Sequence, residues 1–348
     1  MSTSTPQKKK QKSFASYVNA CSYNLSSHFY NSVIKSKFEP FAFNFEYTIQ
    51  GVKYVEYPTD GSQIAKHLST LFKVTYRNGF TYHLPHCSLT TDAGWGCTIR
   101  SVQMLFLNSL IRIQEPDPGF DKDSQTKMKK GFLVHPMDVR REYVQLIEDT
   151  PRKEAVLSIH KMFDLEVVRK NNQKGTNYLS PSTCATAISV LMEQWDERPC
   201  HVMFVQTFPK HVEPNTILMV LAPLNERTQC CLDYPFVSGV VCGVETRAIY
   251  VVGHSGGVLL LLDPHHVQKA HEDGDFDITD YSVRTKDIKM VGLSQLAFGN
   301  CIWSFLVRDN NLEVIRDVAK TKLGVTLEED IREMKTTGDE EGFEVLEF

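Results

Sequence analysis

Thr91-Asp92-Ala93-Gly94-Trp95-Gly96-Cys97-Thr98-Ile99-Arg100 constrains this chain more than any other stretch, because it reads as a tight glycine-rich loop running directly into an apolar helix. Ile99, Val102, Leu105, Phe106 and Leu110 recur at helical spacing, and Met104 and Leu107 widen the face, which predicts a buried helix. Cys97 then sits at or near the helix N-terminus, where unpaired N–H groups and the positive end of the dipole favour a thiolate. Gly94 and Gly96 lack a Cβ, so a substrate backbone can approach closely. The same stretch fits a small core cysteine equally well, since free cysteine is among the most buried residue types.

Much later, Val258-Leu259-Leu260-Leu261-Leu262 reads as a short buried strand ending in Asp263-Pro264-His265-His266. A thiol nucleophile needs an imidazole to take its proton, and the imidazole needs an acceptor to fix its tautomer. Side chains two apart on an extended segment share a side, and Pro264 stiffens the link, so Asp263 and His265 fit those two roles. Taken alone, Asp-Pro-His is also an ordinary exposed turn; an earlier Cys97 makes it a candidate base with its orienter.

Together these stretches resemble the autophagins, the autophagy-related cysteine peptidase 4 family. Gly94-Trp95-Gly96-Cys97 and Asp263-Pro264-His265 carry the resemblance, with Thr75-Tyr76-Arg77, Ser158-Ile159-His160 and Gly299-Asn300-Cys301-Ile302-Trp303-Ser304-Phe305 extending it over residues 65–315. The resemblance implies an α+β fold: a papain-like core, its helix-borne nucleophile packed on a mostly antiparallel sheet, with a small inserted subdomain. It implies that Cys97, His265 and Asp263 are catalytic, that Tyr76 supports the oxyanion, and that a narrow tunnel under Trp95 accepts a Gly-ended tail. Tyr178 falls where resembling proteins carry a groove tryptophan shortly before Pro181, and Gly239 to Arg247 aligns with a loop that gates the groove, Cys242 replacing a usual glycine. His266 stands where a hydroxyl residue is common. The implied substrates are a ubiquitin-like autophagy modifier, as a precursor with extra C-terminal residues and as its phosphatidylethanolamine conjugate, with transient contact to membranes carrying the conjugate. No metal or organic cofactor is required.

The 348 residues, 42% hydrophobic and 23% charged, describe a globular protein of one large or two ordinary domains. No apolar run reaches about 18 residues, and the lysine-rich start lacks the apolar core of a secretory signal. Nine irregularly spaced cysteines fit neither a disulfide framework nor a zinc ribbon, which points to free thiols in the cytoplasm. A net charge of −4 argues against a nucleic-acid binder. The expected organisation is a disordered tail at 1–15, a monomeric peptidase domain at 16–323 with an insertion at about 115–175, and an acidic flexible tail at 324–348. Helices are expected over 138–147, 153–163, from Pro181, and over 311–323.

Two further signals need weighing. Gly253-His254-Ser255-Gly256-Gly257 matches the serine nucleophile elbow, but that elbow requires a following helix and here a β-type run follows. In the acidic tail, Phe343-Glu344-Val345-Leu346 has an aromatic-x-x-aliphatic form that can add as a strand to a sheet edge, Phe343 and Leu346 filling two pockets. It resembles the modifier-interacting motif at the C-terminus of some autophagins. Rival readings are a modifier-binding adaptor with little turnover, and another thiol acyl-transfer enzyme.

Overall fold

Continuous apolar runs rather than alternation mark the central strands of this protein, the pattern of a sheet covered on both faces. A computed structural model describes residues 38–41, 46–54, 61–115, 137–171, 179–272, 274, 276–297 and 299–331. In chain order the elements are β1 (Glu39–Pro40), β2 (Tyr47–Ile49), β3 (Val52–Tyr54), α1 (Gly61–Thr70), β4 (Tyr76–Asn78), α2 (Cys97–Gln114), α3 (Met137–Gln145), α4 (Ile159–Asp164), α5 (Glu166–Asn171) and α6 (Pro181–Glu193). There follow β5 (His201–Val205), β6 (Thr216–Pro223), β7 (Val237–Val244), β8 (Arg247–Ser255), β9 (Val258–Leu262), β10 (Val267–Lys269), β11 (Ile288–Gly292), β12 (Asn300–Val307) and α7 (Leu312–Thr321).

The main sheet runs β1-β11-β9-β8-β7-β12-β6-β5, with the β2–β3 hairpin joined to β8. Only β5–β6 is parallel; the other pairs of this sheet are antiparallel. Alternate residues of each strand enter opposite cores. Tyr250, Val252, Leu260, Leu262, Ile302 and Leu306 pack on the α2 side. Ile249, Val251, Leu259, Leu261, Trp303 and Phe305 pack on the other, under Ile315, Val318 and Ala319 of α7. This is the mostly antiparallel α+β arrangement expected from the sequence. Val144, Ile159, Met162 and Val168, from the region read as an insertion, share one core with α2.

Sixteen of the eighteen α2 residues are buried, so its polar side chains need partners inside the protein. Gln103 donates to the Leu157 carbonyl at 2.9 Å, Asn108 donates to Phe72 O at 3.0 Å, and Ser109 meets Ser304 of β12 at 2.7 Å. At the far end, Arg308 donates to the Arg112 and Glu115 carbonyls at 2.6 and 2.8 Å, satisfying helix-end acceptors. Helix α6 begins as its sequence indicates, with Pro181 in the first turn and Ser180 Oγ accepting the Thr183 N–H at 3.1 Å.

Four details differ from, or refine, the sequence reading. The helix expected over 153–163 starts only at Ile159, because Ser158 takes the N-cap and accepts the Lys161 N–H at 3.2 Å. Of Gly239 to Arg247, aligned with a gating loop, Gly239 to Val244 lies in β7, bonded between β8 and β12 with Val240, Val241 and Cys242 buried, so only Glu245–Thr246 forms a turn. The stretch after 324 is docked as far as 331: Val325 and Leu327 are buried, and the Phe208 N–H donates to Thr326 O at 2.9 Å. The serine-elbow match is the β8–β9 hairpin, turning at Gly256–Gly257. Tyr178, Phe343, Leu346 and the N-terminal tail lie outside the described residues.

Gly239 has a φ of +132°, and a Cβ there would stand 2.4 Å from Val251 O. Gly239→Ala is therefore expected to destabilise the fold by about 1–3 kcal/mol. Urea unfolding measures it; an unchanged midpoint would contradict the assignment of Gly239 to a packed strand.

Candidate active site

The end of β9 and the start of β10 hold the imidazole. His265 Nδ1 lies 2.6 Å from Asp263 Oδ1, which also accepts the His265 backbone N–H at 3.0 Å. A carboxylate only accepts, so Nδ1 carries the proton and Nε2 is left for the thiol. Strand β10 pairs in parallel with β4, placing Val267 opposite Tyr76, and the Tyr76 N–H donates to Pro264 O at 3.0 Å. The Tyr76 ring stands edge-on to His265 with centroids 5.3 Å apart. The β4–β10 ladder thus brings the second sequence motif onto the first.

Cys97 is the first residue of α2, and no side chain caps that N-terminus. Its sulfur sits in a small apolar cluster with Tyr76, Ala248 and Val267. Burial pushes the Cys97 thiol up, but hydrogen bonds from His265, the Ala248 backbone and the Tyr76 hydroxyl, with the His265 charge, bring it below its ordinary value. Burial pushes His265 down, yet Asp263 and the thiolate outweigh it and raise His265 to about 9. Both shifts favour a thiolate–imidazolium pair at neutral pH, the state from which a cysteine attacks a carbonyl. Only 1% of Cys97 is exposed.

The other site residues read from sequence divide. Trp95 is buried edge-on against Phe163, centroids 5.1 Å apart, and its Nε1–H donates to Thr91 O at 3.1 Å. Gly94 has a φ of +90°, which the loop needs and a side chain would resist. Gly96 was expected to let a substrate approach; instead its Cβ position is filled, lying 2.6 Å from Asp92 Cβ, so the reason for this glycine is internal packing. His254 is tied to Gln229 and Asp233 at 2.8 and 3.1 Å. His266 is exposed.

Sequence reasoning assigned no role to two groups. One is Ala248, whose backbone reaches Cys97 from β8. The other is a buried charge cluster beneath the nucleophile loop: Asp92 and Asp149 against Arg77 and Arg100, each 0–1% exposed. Arg100 Nε meets Asp92 at 2.5 Å and Arg100 Nη2 meets Asp149 at 2.8 Å. Buried charges of opposite sign at residues 92 and 100 were a signal; their pairing was not. Among the described residues no His, Cys, Asp and Glu cluster suits a metal ion, and no helix is long and apolar enough to cross a membrane.

Comparison with known proteins gives a match to the peptidase C54 catalytic domain over residues 61–228 and 224–313. The chain is 26% identical over 212 residues to the probable cysteine protease ATG4 of Candida glabrata, covering 54% of this chain and 40% of that protein. It is 26% identical over 238 residues to the cysteine protease atg-4.2 of Caenorhabditis elegans, covering 59% and 43%. Against the cysteine protease ATG4B of Xenopus laevis it is 24% identical over 261 residues, covering 62% and 64%. The chain spans about half the length of the curated relatives it matches.

His265 is raised to about 9 and Cys97 is lowered from its ordinary value, so both shifts favour the thiolate–imidazolium pair, which is lost as pH rises through about 9. Asp263→Asn removes the charge that holds His265 up. The rate of Cys97 alkylation by iodoacetamide near pH 6, followed at the Cys97 peptide by mass spectrometry, should fall about tenfold for each unit lost. An unchanged rate would take Asp263 out of the site.

Proposed function

Because this chain belongs to the peptidase C54 family, we propose that it is a cysteine peptidase that cleaves a ubiquitin-like autophagy modifier after a C-terminal glycine. The observation that carries this reading is Cys97 at the N-terminus of α2, hydrogen-bonded to a His265 whose Nδ1–H is held by Asp263. The Cys97 thiolate attacks the carbonyl of the glycine, with the helix N-terminus and the Tyr76 hydroxyl as the donors to the developing oxyanion. The imidazolium of His265 protonates the departing amine, leaving a thioester between Cys97 and the modifier. Neutral His265 then takes a proton from water, which attacks the thioester and restores the thiol. Asp263 fixes the ring orientation and stabilises the imidazolium in both halves.

The leaving amine is the C-terminal extension of a precursor or the ethanolamine nitrogen of a phosphatidylethanolamine conjugate; the chemistry at Cys97 is the same for both. A terminal glycine suits the site because no side chain has to pass beside Trp95, which is packed on Phe163. Phe343 and Leu346 would supply a second contact with the modifier, Tyr178 is assigned to substrate binding by resemblance alone, and the protein works in the cytoplasm with transient access to conjugate-bearing membranes. The complete thiol, imidazole and carboxylate set favours turnover over the adaptor reading, which needs none of the three.

A modifier precursor carrying a reporter beyond its glycine tests the proposal. The wild-type chain in reductant is expected to release the reporter, and Cys97→Ser to lose at least about 10³-fold in rate. Release by both proteins would remove Cys97 from the chemistry. Tight binding without release by either would select the adaptor, and transfer to an added small amine in preference to water would select an acyl-transfer enzyme.

A further inference from the structure

Asp92 has no part in the chemistry above, yet it bonds to the nucleophile loop, to α2 and to β4, the strand on which β10 is paired. Its side chain is fully buried. One carboxylate oxygen, Oδ1, accepts the Arg77 backbone N–H at 2.5 Å; the other, Oδ2, accepts Arg100 Nε at 2.5 Å. Its main-chain carbonyl accepts the N–H groups of Trp95 and Gly96 at 3.2 and 2.8 Å, closing the turn immediately before Cys97. The Asp92 N–H in turn donates to Arg77 O at 3.2 Å.

Each bond leads to one side of the reacting pair. Arg100 lies one turn into α2, so the Asp92–Arg100 contact, completed by Arg100 to Asp149 at 2.8 Å, fixes the helix end that carries Cys97. Arg77 follows Tyr76 on β4, and β4 holds Pro264 and β10, hence His265. We propose that Asp92 is a positioning residue for the catalytic pair, a single carboxylate that fixes Cys97 and His265 against each other by tying the nucleophile loop, the first turn of α2 and β4 together. The space left by Gly96 belongs to this device, since a Cβ there would meet Asp92 Oδ2 at 2.7 Å. The inference rests on Cys97 and His265 being the working pair, not on the identity of the substrate.

The test compares wild type, Asp92→Asn and Gly96→Ala in the full chain. Asp92→Asn keeps an acceptor for the Arg77 N–H but turns an amide NH2 toward Arg100, donor against donor. Gly96→Ala displaces the carboxylate while leaving its charge. The readouts are the pH profile of Cys97 alkylation by iodoacetamide, kcat and KM for precursor cleavage, and the thermal midpoint. Both variants are expected to move the alkylation profile toward an ordinary thiol near about 8.5 and to lower kcat about 10²-fold with little change in KM, as for a small misplacement of reacting groups. A folded Asp92→Asn protein with the wild-type profile and kcat overturns the proposal, leaving Asp92 a purely structural residue. If Asp92→Asn does not fold, Gly96→Ala decides: a wild-type profile there overturns it equally. A shifted alkylation profile in a chain whose wild type fails to cleave the precursor supports the positioning role and rejects the substrate reading.

Discussion

Everything in this structure answers to the burial of one helix. With sixteen of eighteen residues inside, α2 has little solvated face on which to leave a polar group, and Gln103, Asn108 and Ser109 are met by other parts of the chain. The partners come from far apart: Phe72 before the nucleophile loop, Leu157 from the helical region, Ser304 from β12, and Arg308 at the helix end. An unpaired buried polar group costs about 1–3 kcal/mol, so these contacts select one seating of the helix on the sheet. Fixing α2 fixes Cys97, because the nucleophile is its first residue.

The imidazole reaches the thiol by a separate route. Strand β9 is buried on both faces and ends in Asp263, so the carboxylate emerges from a rigid base rather than from a loop. The parallel β4–β10 ladder then sets His265 beside Tyr76. In that enclosed setting opposing effects act on each group, and hydrogen bonding with mutual charge prevails over burial at both Cys97 and His265. Asp263 as well as Cys97 raises His265, and His265, the Ala248 backbone and Tyr76 together lower Cys97.

Local patterns made much of this legible. The apolar spacing after Cys97, the apolar run before Asp263 and the Pro181 start each report a neighbourhood of a few residues, and each appears in the structure where expected. What the sequence did not disclose depends on distant partners. Asp92 and Arg100 stand in the most informative stretch, but their meaning lies in Asp149 and in the β4 backbone. Ala248 matters through an amide, which no residue type advertises. By resemblance Gly239 to Arg247 aligns with a gating loop, whereas Gly239 to Val244 pairs as a strand in which the tight approach of Val251 O explains Gly239. Docking of Val325 and Leu327 was hidden by the acidic residues around them.

The short β4–β10 ladder has a consequence for how the protein is made. The two reacting side chains are encoded on opposite sides of most of the sheet, and they meet only when β10 lies down beside β4. During synthesis the thiol emerges long before its imidazole, and a chain that has not yet closed this ladder carries an ordinary cysteine. Reactivity is thus a property of the finished topology: the β4–β10 register arms the nucleophile, and a chain that has not formed it lacks the activating imidazole beside the thiol.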